Sequence, residues 1–282
     1  MALRVAFLGP AGTYTEEALL ASTPAGAQRE PRATLHETVM AVQTGEVDRA
    51  VVPIENSLEG GVAAVLDALA GEADGVCIAG EVIHSIHHHL VAARELALED
   101  IERVHSHPQA TAQCARFLRE RLPRAERVAA SSTAHAVRQV AERDEPWAAL
   151  GSRLAAELYG ATVLVEGVED HADNVTRFVW LAPRGGTEPR PDGPAKTSVV
   201  FWGFNDSSPG ALVSVLREVS ERDINLTKIE SRPRRVRLGR YMFFADLEGH
   251  LEDAPMAEAL EALAERVQTL RVLGSYPAAE PT

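Results

Sequence analysis

The sequence predicts an α/β protein in two parts, and three observations carry that expectation. Short apolar runs alternate with helical periods through the first 183 residues. A Pro- and Gly-rich segment over 184–195 then interrupts all periodicity and reads as a linker. Beyond it, over 196–277, the order of runs changes to β-α-β-β-α-β. In the first part, the run over 5–8 leads into a helix over 16–22, and 50–54 leads into 62–70. The runs over 103–105, 128–130 and 148–150 lead into helices over 109–122, 134–143 and 153–159. Such alternation builds an open, mostly parallel sheet whose ligands sit beyond the carboxyl ends of the strands. In the second part, strands over 197–204, 224–231, 241–247 and 272–276 frame helices over 210–222 and 256–267, the ferredoxin-like order. Residues 278–282 read as a loose tail.

Composition excludes several classes. Of 282 residues, 45% are hydrophobic and 24% charged, which suits a folded globular chain. The net charge of −13 leaves no basic face for phosphate contacts, so no nucleic-acid partner is expected. Cys77 and Cys114 are too few for a disulfide framework or a thiolate zinc site, and a cytoplasmic location is expected. No run approaches the ~20 apolar residues that span a bilayer, so no membrane partner is expected. The apolar N-terminal run stops at Gly9-Pro10, too short for an export signal.

The strand-to-helix turns carry the chemistry. Around Gly12 and Thr13, two glycines allow close backbone approach, and Thr13 with Glu16 has capping-box spacing. Either a plain capped helix or an anion site at its free N–H groups fits that turn. Glu55, Asn56 and Ser57 offer a carboxylate, an amide and a hydroxyl at a strand end. Ser106 and His107 precede Pro108 at a helix start, and Gln109 and Gln113, four residues apart, share one helical face. Ser131, Ser132, Thr133 and Ser152 read as helix caps. On the last strand of this part, Thr176 and Phe178 face one side and Arg177 the other. Arg177 then meets a cleft or a partner carboxylate, as an anchor for a bound carboxylate or a structural ion pair.

Two other clusters are read as inert. His84, His87, His88 and His89 lack carboxylates at metal-ligand spacing, so no metal site is expected. The basic run Arg232, Arg234, Arg235, Arg237 and Arg240 falls at a hairpin, lacks stacking aromatics, and reads as a solvated loop.

Taken in order, these stretches resemble the prephenate dehydratase family. The resemblance rests on Phe7 to Thr13, Val52 to Ser57, Ser106 to Gln109 with Gln113-Cys114, Ala149 to Ser152, and Asn174 to Phe178. His88 also fits the family pattern, whereas His87 and His89 depart from it. The second part resembles the family's ACT regulatory domain, through Gly210-Ala211-Leu212-Val213, Glu230-Ser231-Arg232-Pro233, and the stretch from Gly239 to His250. The resemblance implies two α/β lobes like those of type 2 periplasmic binding proteins, with the active site between them, followed by the ACT domain. A monofunctional enzyme is expected, because the chain starts at the first strand of that unit.

The implied reaction turns prephenate into phenylpyruvate, carbon dioxide and water, without cofactor. By resemblance, Thr176 donates to the departing hydroxyl, with Glu55 the alternative acid, and Arg177 anchors a carboxylate. Gly12, Thr13, Asn56, Ser57, Ser106, Gln109 and Gln113 position the substrate, and Phe178 packs near its ring. Phenylalanine is the implied effector, at an interface built from Gly210–Val213, Asn225, Leu226 and Glu230–Pro233 in a homodimer or homotetramer. Arogenate dehydratase and a pure amino-acid sensor stay open as alternatives.

Overall fold

A computed structural model describes residues 2–23, 26–185, 190–205 and 208–279. Parts of the linker expected over 184–195, and of the tail over 278–282, lie outside the described residues. The first lobe is one sheet built from β1 (Arg4–Leu8), β2 (Gln28–Arg32), β3 (Arg49–Asn56), the short β4 (Gly60–Gly61), β5 (Val76–Ser85) and, much later in the chain, β11 (Val175–Pro183). Helices α1 (Tyr14–Ser22), α2 (Leu35–Gln43) and α3 (Ala63–Ala70) pack on it. The second lobe holds β6 (His89–Ala92), β7 (Arg103–Ser106), β8 (Glu126–Ala129), β9 (Trp147–Gly151) and β10 (Thr162–Val165), with α4 (Pro108–Gln113), α5 (Ala115–Arg121), α6 (Thr133–Ala141) and α7 (Arg153–Tyr159).

The strand order is β2-β1-β3-β11-β5 in the first lobe and β10-β6-β9-β7-β8 in the second. Both sheets are mixed, which corrects the expectation of one mostly parallel sheet. β1 runs parallel to β2 and β3, but β11 is antiparallel to both its neighbours, because it carries the chain back from the second lobe. The chain therefore crosses between lobes twice, at 86–88 and at 166–174. Sequence periodicity also missed β2, whose Gln-Arg-Glu-Pro-Arg run has no apolar alternation to signal a strand. The helix expected over 109–122 breaks at Cys114 into α4 and α5.

The C-terminal domain has the expected order: β12 (Ala195–Trp202), α8 (Ala211–Ser220), β13 (Leu226–Pro233), β14 (Tyr241–Glu248), α9 (Ala254–Arg266) and β15 (Thr269–Pro277). Its antiparallel sheet runs β13-β14-β12-β15. Alternation along β12 sends Val199 and Phe201 toward the helices, against Val215 and Leu263, and sends Val200 the other way. On that second face Val200, Met242, Phe244, Leu273 and Tyr276 join one core with Val76, Ile78, Val179 and Leu181 of the first lobe. The two sheets approach so closely that a Cβ on Gly274 would stand 2.1 Å from the Ile78 carbonyl oxygen. No described helix is long and apolar enough to cross a membrane.

The basic run is not a solvated loop throughout. Arg232 and Arg235 both hold Asp67 of α3, at 2.9 and 2.6 Å, and Arg234 lies over the Trp202 ring.

Candidate active site

A cavity of about 390 Å³ lies between the lobes, at the ends of β1 and β3 and beneath the N-termini of α1 and α6. That volume suits a small organic ligand. Leu8, Leu35, Pro53, Val62, Ile86 and Phe178 give it apolar walls. Thr13 and Ser132 cap α1 and α6, accepting from Glu16 N and His135 N, so two helix starts face the same space. The partial positive charge of those helix ends suits an anionic ligand.

A backbone irregularity assembles the reactive side. β3 and β11 pair Asn56 with Thr176 and Glu55 with Arg177, and the register then slips so that Pro53 meets Phe178. Pro53 and Asn56 are three apart and would face opposite sides of a regular strand. The bulge lets both line the cavity. Asn56 Nδ2 lies 2.8 Å from Thr176 Oγ1 and 2.8 Å from Asn174 Oδ1. An amide nitrogen only donates, so the threonine oxygen accepts there. The Thr176 proton is thereby left to point elsewhere, and the cavity lies in front of it.

The hydrogen bonds continue from Asn174 across the cavity rim. Asn174 Nδ2 donates to Gln113 Oε1 at 3.2 Å, and the same oxygen stands 3.0 Å from His88 Nε2. An oxygen acceptor there puts the imidazole proton on Nε2 and leaves Nδ1 as an acceptor 2.7 Å from the Tyr14 hydroxyl, whose one proton is shared between that nitrogen and His87 O at 2.9 Å. Burial holds the His88 pKa below the ordinary imidazole value, which keeps the ring neutral. Burial also raises the Tyr14 pKa well above its ordinary value, so the phenol keeps its proton. The two crossings between lobes are tied beside this chain: Glu169 accepts from His88 N and pairs with His87 Nδ1, both at 2.8 Å.

Of the residues singled out in the sequence, Thr13, Asn56, Gln109, Gln113, Thr176 and Phe178 line this cavity. Five others do not. Gly12 N donates to Glu16, its carbonyl accepts from Ser152 Oγ at 2.9 Å, and a Cβ there would stand 2.9 Å from Ala155 Cα. Gly12 therefore fits the lobes together rather than offering an amide to a ligand. Ser57 Oγ accepts from Val175 N, and Ser106 Oγ is buried and donates to Leu150 O, so both hydroxyls serve the backbone.

Arg177 and Glu55 are the larger correction. Strand alternation turns both to the reverse face of the sheet, toward the C-terminal domain. The Arg177 guanidinium lies 3.1 Å from Glu55, 3.0 Å from Glu81 and 2.5 Å from Asp246. Burial disfavours its charge, yet the Asp246 and Glu81 carboxylates outweigh this and raise its pKa. Arg177 is thus the partner-carboxylate case, and the expected carboxylate anchor is absent from the cavity. Glu55 is likewise engaged by Arg177 and Lys228 and does not reach the reacting side.

The sequence reading missed Tyr14, Asn174 and the cavity role of His88, and it took Ser131, Ser132 and Thr133 only as caps. The spacing of capping hydroxyls after 130 was the available signal. Nothing local marks Tyr14, whose partner lies 74 positions away.

Residues 5–185 match the family described as prephenate dehydratase, and 205–265 match the ACT domain. The chain belongs to the prephenate dehydratase family. A prephenate dehydratase of Mycobacterium sp. (strain JLS) is 43% identical over 97% of this chain and 89% of its own length. Among solved structures, a prephenate dehydratase from Arthrobacter aurescens in complex with L-Phe is 39% identical, with a TM-score of 0.88 over 99% of this chain and 92% of that one. A protein described as a novel type of quorum quenching acylase, GqqA, is 34% identical, with a TM-score of 0.86 over 98% of both chains. Dehydratases of this family are enzymes, and the chain carries their catalytic and ACT regions in the same order.

Proposed function

We propose that the interlobe cavity binds prephenate and that the Thr176 hydroxyl donates to the leaving hydroxyl of its ring. The observation that carries this reading is the Asn56–Thr176 hydrogen bond, which reserves the threonine proton for the cavity. In the reaction, the bond from the ring to its carboxylate breaks and carbon dioxide leaves. The freed electron pair enters the ring as the carbon–oxygen bond to the ring hydroxyl breaks. That hydroxyl takes up one proton that comes from solvent by way of the Thr176 hydroxyl, which is reprotonated in turn, and departs as water while the ring becomes aromatic. Thr176 stabilises the departing oxygen by hydrogen bonding as charge develops on it. The substrate carboxylates are met by the N-terminal ends of α1 and α6 and by the Gln109 and Gln113 amides. This replaces the guanidinium anchor. Leu8, Ile86 and Phe178 supply apolar walls for the ring.

No Asp or Glu is among the described residues lining the cavity. An arogenate side chain would bring an ammonium group with no carboxylate to meet it, which favours prephenate. An acylase would need a nucleophile next to a general base. Thr176 Oγ1 is bonded to an amide, not to an imidazole or carboxylate, which supports dehydration over acyl transfer.

Phenylalanine is the proposed effector, acting at the ACT domain of a cytoplasmic homodimer or homotetramer. Gly210, with φ of 78°, starts α8, and Val213 on its first turn is 61% exposed. Edge strand β13 carries Glu230–Pro233 and an exposed Ile229. Apolar groups exposed along an edge strand suit a second ACT domain that completes the effector site beside Asn225 and Leu226. Incubation with prephenate or arogenate, followed as phenylpyruvate absorbance in alkali for the first and as phenylalanine for the second, tests the catalytic reading. Turnover of prephenate is expected, and its absence would overturn the assignment.

A further inference from the structure

We propose that the ion pairs behind β3 and β11 are the route by which the ACT domain sets the geometry of Asn56 and Thr176. This deepens, and rests on, the reading that phenylalanine binds the ACT domain and inhibits. The two strands form a two-sided device. Toward the cavity they present Asn56 and Thr176, hydrogen-bonded at 2.8 Å. Toward the ACT domain they present Glu55 and Arg177, paired at 3.1 Å. Each residue of one pair is the chain neighbour of a residue of the other, and both pairs are in register. A displacement of the rear pair is thus transmitted through one peptide unit on each strand.

The rear pair is held by ACT side chains. Lys228 Nζ stands 3.3 Å from Glu55 and 3.2 Å from Glu230, the first residue of the expected effector motif. Glu230 also presses on the turn after Asn56: a Cβ on Gly61, the register partner of Glu55, would meet its Oε2 at 1.8 Å. On β14, Asp246 holds Arg177 with one oxygen and accepts from Ser198 Oγ with the other, both at 2.5 Å. Glu81, fully buried, joins Arg177 to Lys196. An unbroken path of charged groups therefore runs from Glu230 through Lys228 and Glu55 to Arg177.

Burial gives the path its leverage. The Arg177, Lys228 and Asp246 side chains are each 10% exposed or less, whereas Glu55 is 36% and Glu230 22% exposed, so parting the pairs lets water reach the glutamates but leaves the Lys228 and Arg177 cations buried. A ligand that moves Glu230 must carry Lys228 and Glu55 along or leave buried charges unpaired. Either response displaces the peptide that holds Asn56. Packed interfaces respond to such demands by switching arrangement rather than by bending. Phenylalanine inhibits, on this account, because the arrangement it favours pulls Asn56 and Thr176 out of line. Arg177, Glu55, Lys228 and Asp246 are positioning residues that do not touch substrate.

The test separates effector binding from effector action. Lys228→Met keeps the length of the side chain and removes its charge, and Lys228→Arg restores the charge. Phenylalanine affinity is measured by calorimetry, and inhibition is expressed relative to each variant's own uninhibited rate. The expected result is affinity within threefold of wild type for Lys228→Met, with the half-inhibiting concentration raised at least tenfold, and recovery of inhibition in Lys228→Arg. Asp246→Asn, which keeps the hydrogen bond to Ser198, should uncouple in the same way and serves if Lys228→Met does not fold. Inhibition of both charge-removing variants at the wild-type concentration would overturn the proposal alone. Parallel loss of binding and inhibition would also overturn it, since Lys228 would then belong to the effector site. A wild-type protein that binds no phenylalanine would overturn the regulatory reading itself.

Discussion

Replacing Thr176 with Val tests the chemistry most directly. Valine keeps the branched shape that suits β11 and removes only the hydroxyl. Asn56 Nδ2 is not stranded by the change, because Asn174 Oδ1 at 2.8 Å and Val175 O at 3.2 Å remain as acceptors. The structural cost is therefore one hydrogen bond, about 1 kcal/mol. For a chain of this size that lowers Tm by roughly 2–4 °C. The catalytic cost is larger, because the lost donor faces the oxygen on which charge develops. Removing one such donor costs about 2.7–4 kcal/mol, a fall in kcat of about 10²–10³. KM should change little, since the carboxylate contacts lie at the helix ends. Thr176→Ser, which keeps the hydroxyl, should retain most of kcat. Phenylpyruvate formation at saturating prephenate, with a thermal melt alongside, measures both effects. A Val variant with kcat within threefold of wild type would refute the role of Thr176, and so would a loss confined to KM.

Three further outcomes follow from the geometry. Arg177→Met leaves Asp246 buried without its cation and Glu81 with Lys196 as its remaining cation, so it should destabilise the fold by about 3–5 kcal/mol in denaturant titration. Its KM should stay within threefold of wild type, and a tenfold rise would return the residue to the substrate. Gly274→Val places side-chain atoms where the Ile78 carbonyl already lies 2.1 Å from a single Cβ, so the two sheets must separate. A Tm fall of several degrees and faster proteolytic release of the ACT domain are expected, whereas an unchanged melt would refute the tight docking. Burial lowers the His88 pKa relative to the unfolded chain, where it is about 6.5. The unfolded state then binds the proton more readily. This contribution to stability is complete above pH 6.5 and is lost as pH falls from there through the folded-state value. His88→Gln should flatten that part of the profile of unfolding free energy against pH, and an unchanged slope would count against a buried neutral ring.

Much of this was legible in the residue order. The β-α-β-β-α-β order of the second part and the strand-then-helix rhythm of the first both follow from local periodicity, which needs no partner. Thr176 and Phe178 facing one side, with Arg177 facing the other, followed from alternation alone. What Arg177 faced did not. Its partners Glu55, Glu81 and Asp246 lie 122, 96 and 69 positions away. Two sheets had to form and pack before the guanidinium met a domain interface instead of a substrate.

The cavity repeats the point. Capping residues such as Thr13 and Ser132 declare themselves by type and position, so their helices could be expected to start where they do. That two of those helix starts face one space is a property of how the lobes close, and so is the path from Tyr14 to Thr176. The slip in register that brings Pro53 and Asn56 to the same face is likewise invisible in a single strand, because it exists only relative to β11. Periodicity and capping are short-range and are written into neighbouring residues. The direction of a proton and the partner of a buried charge depend on groups brought together from distant parts of the chain, and only the folded packing decides them.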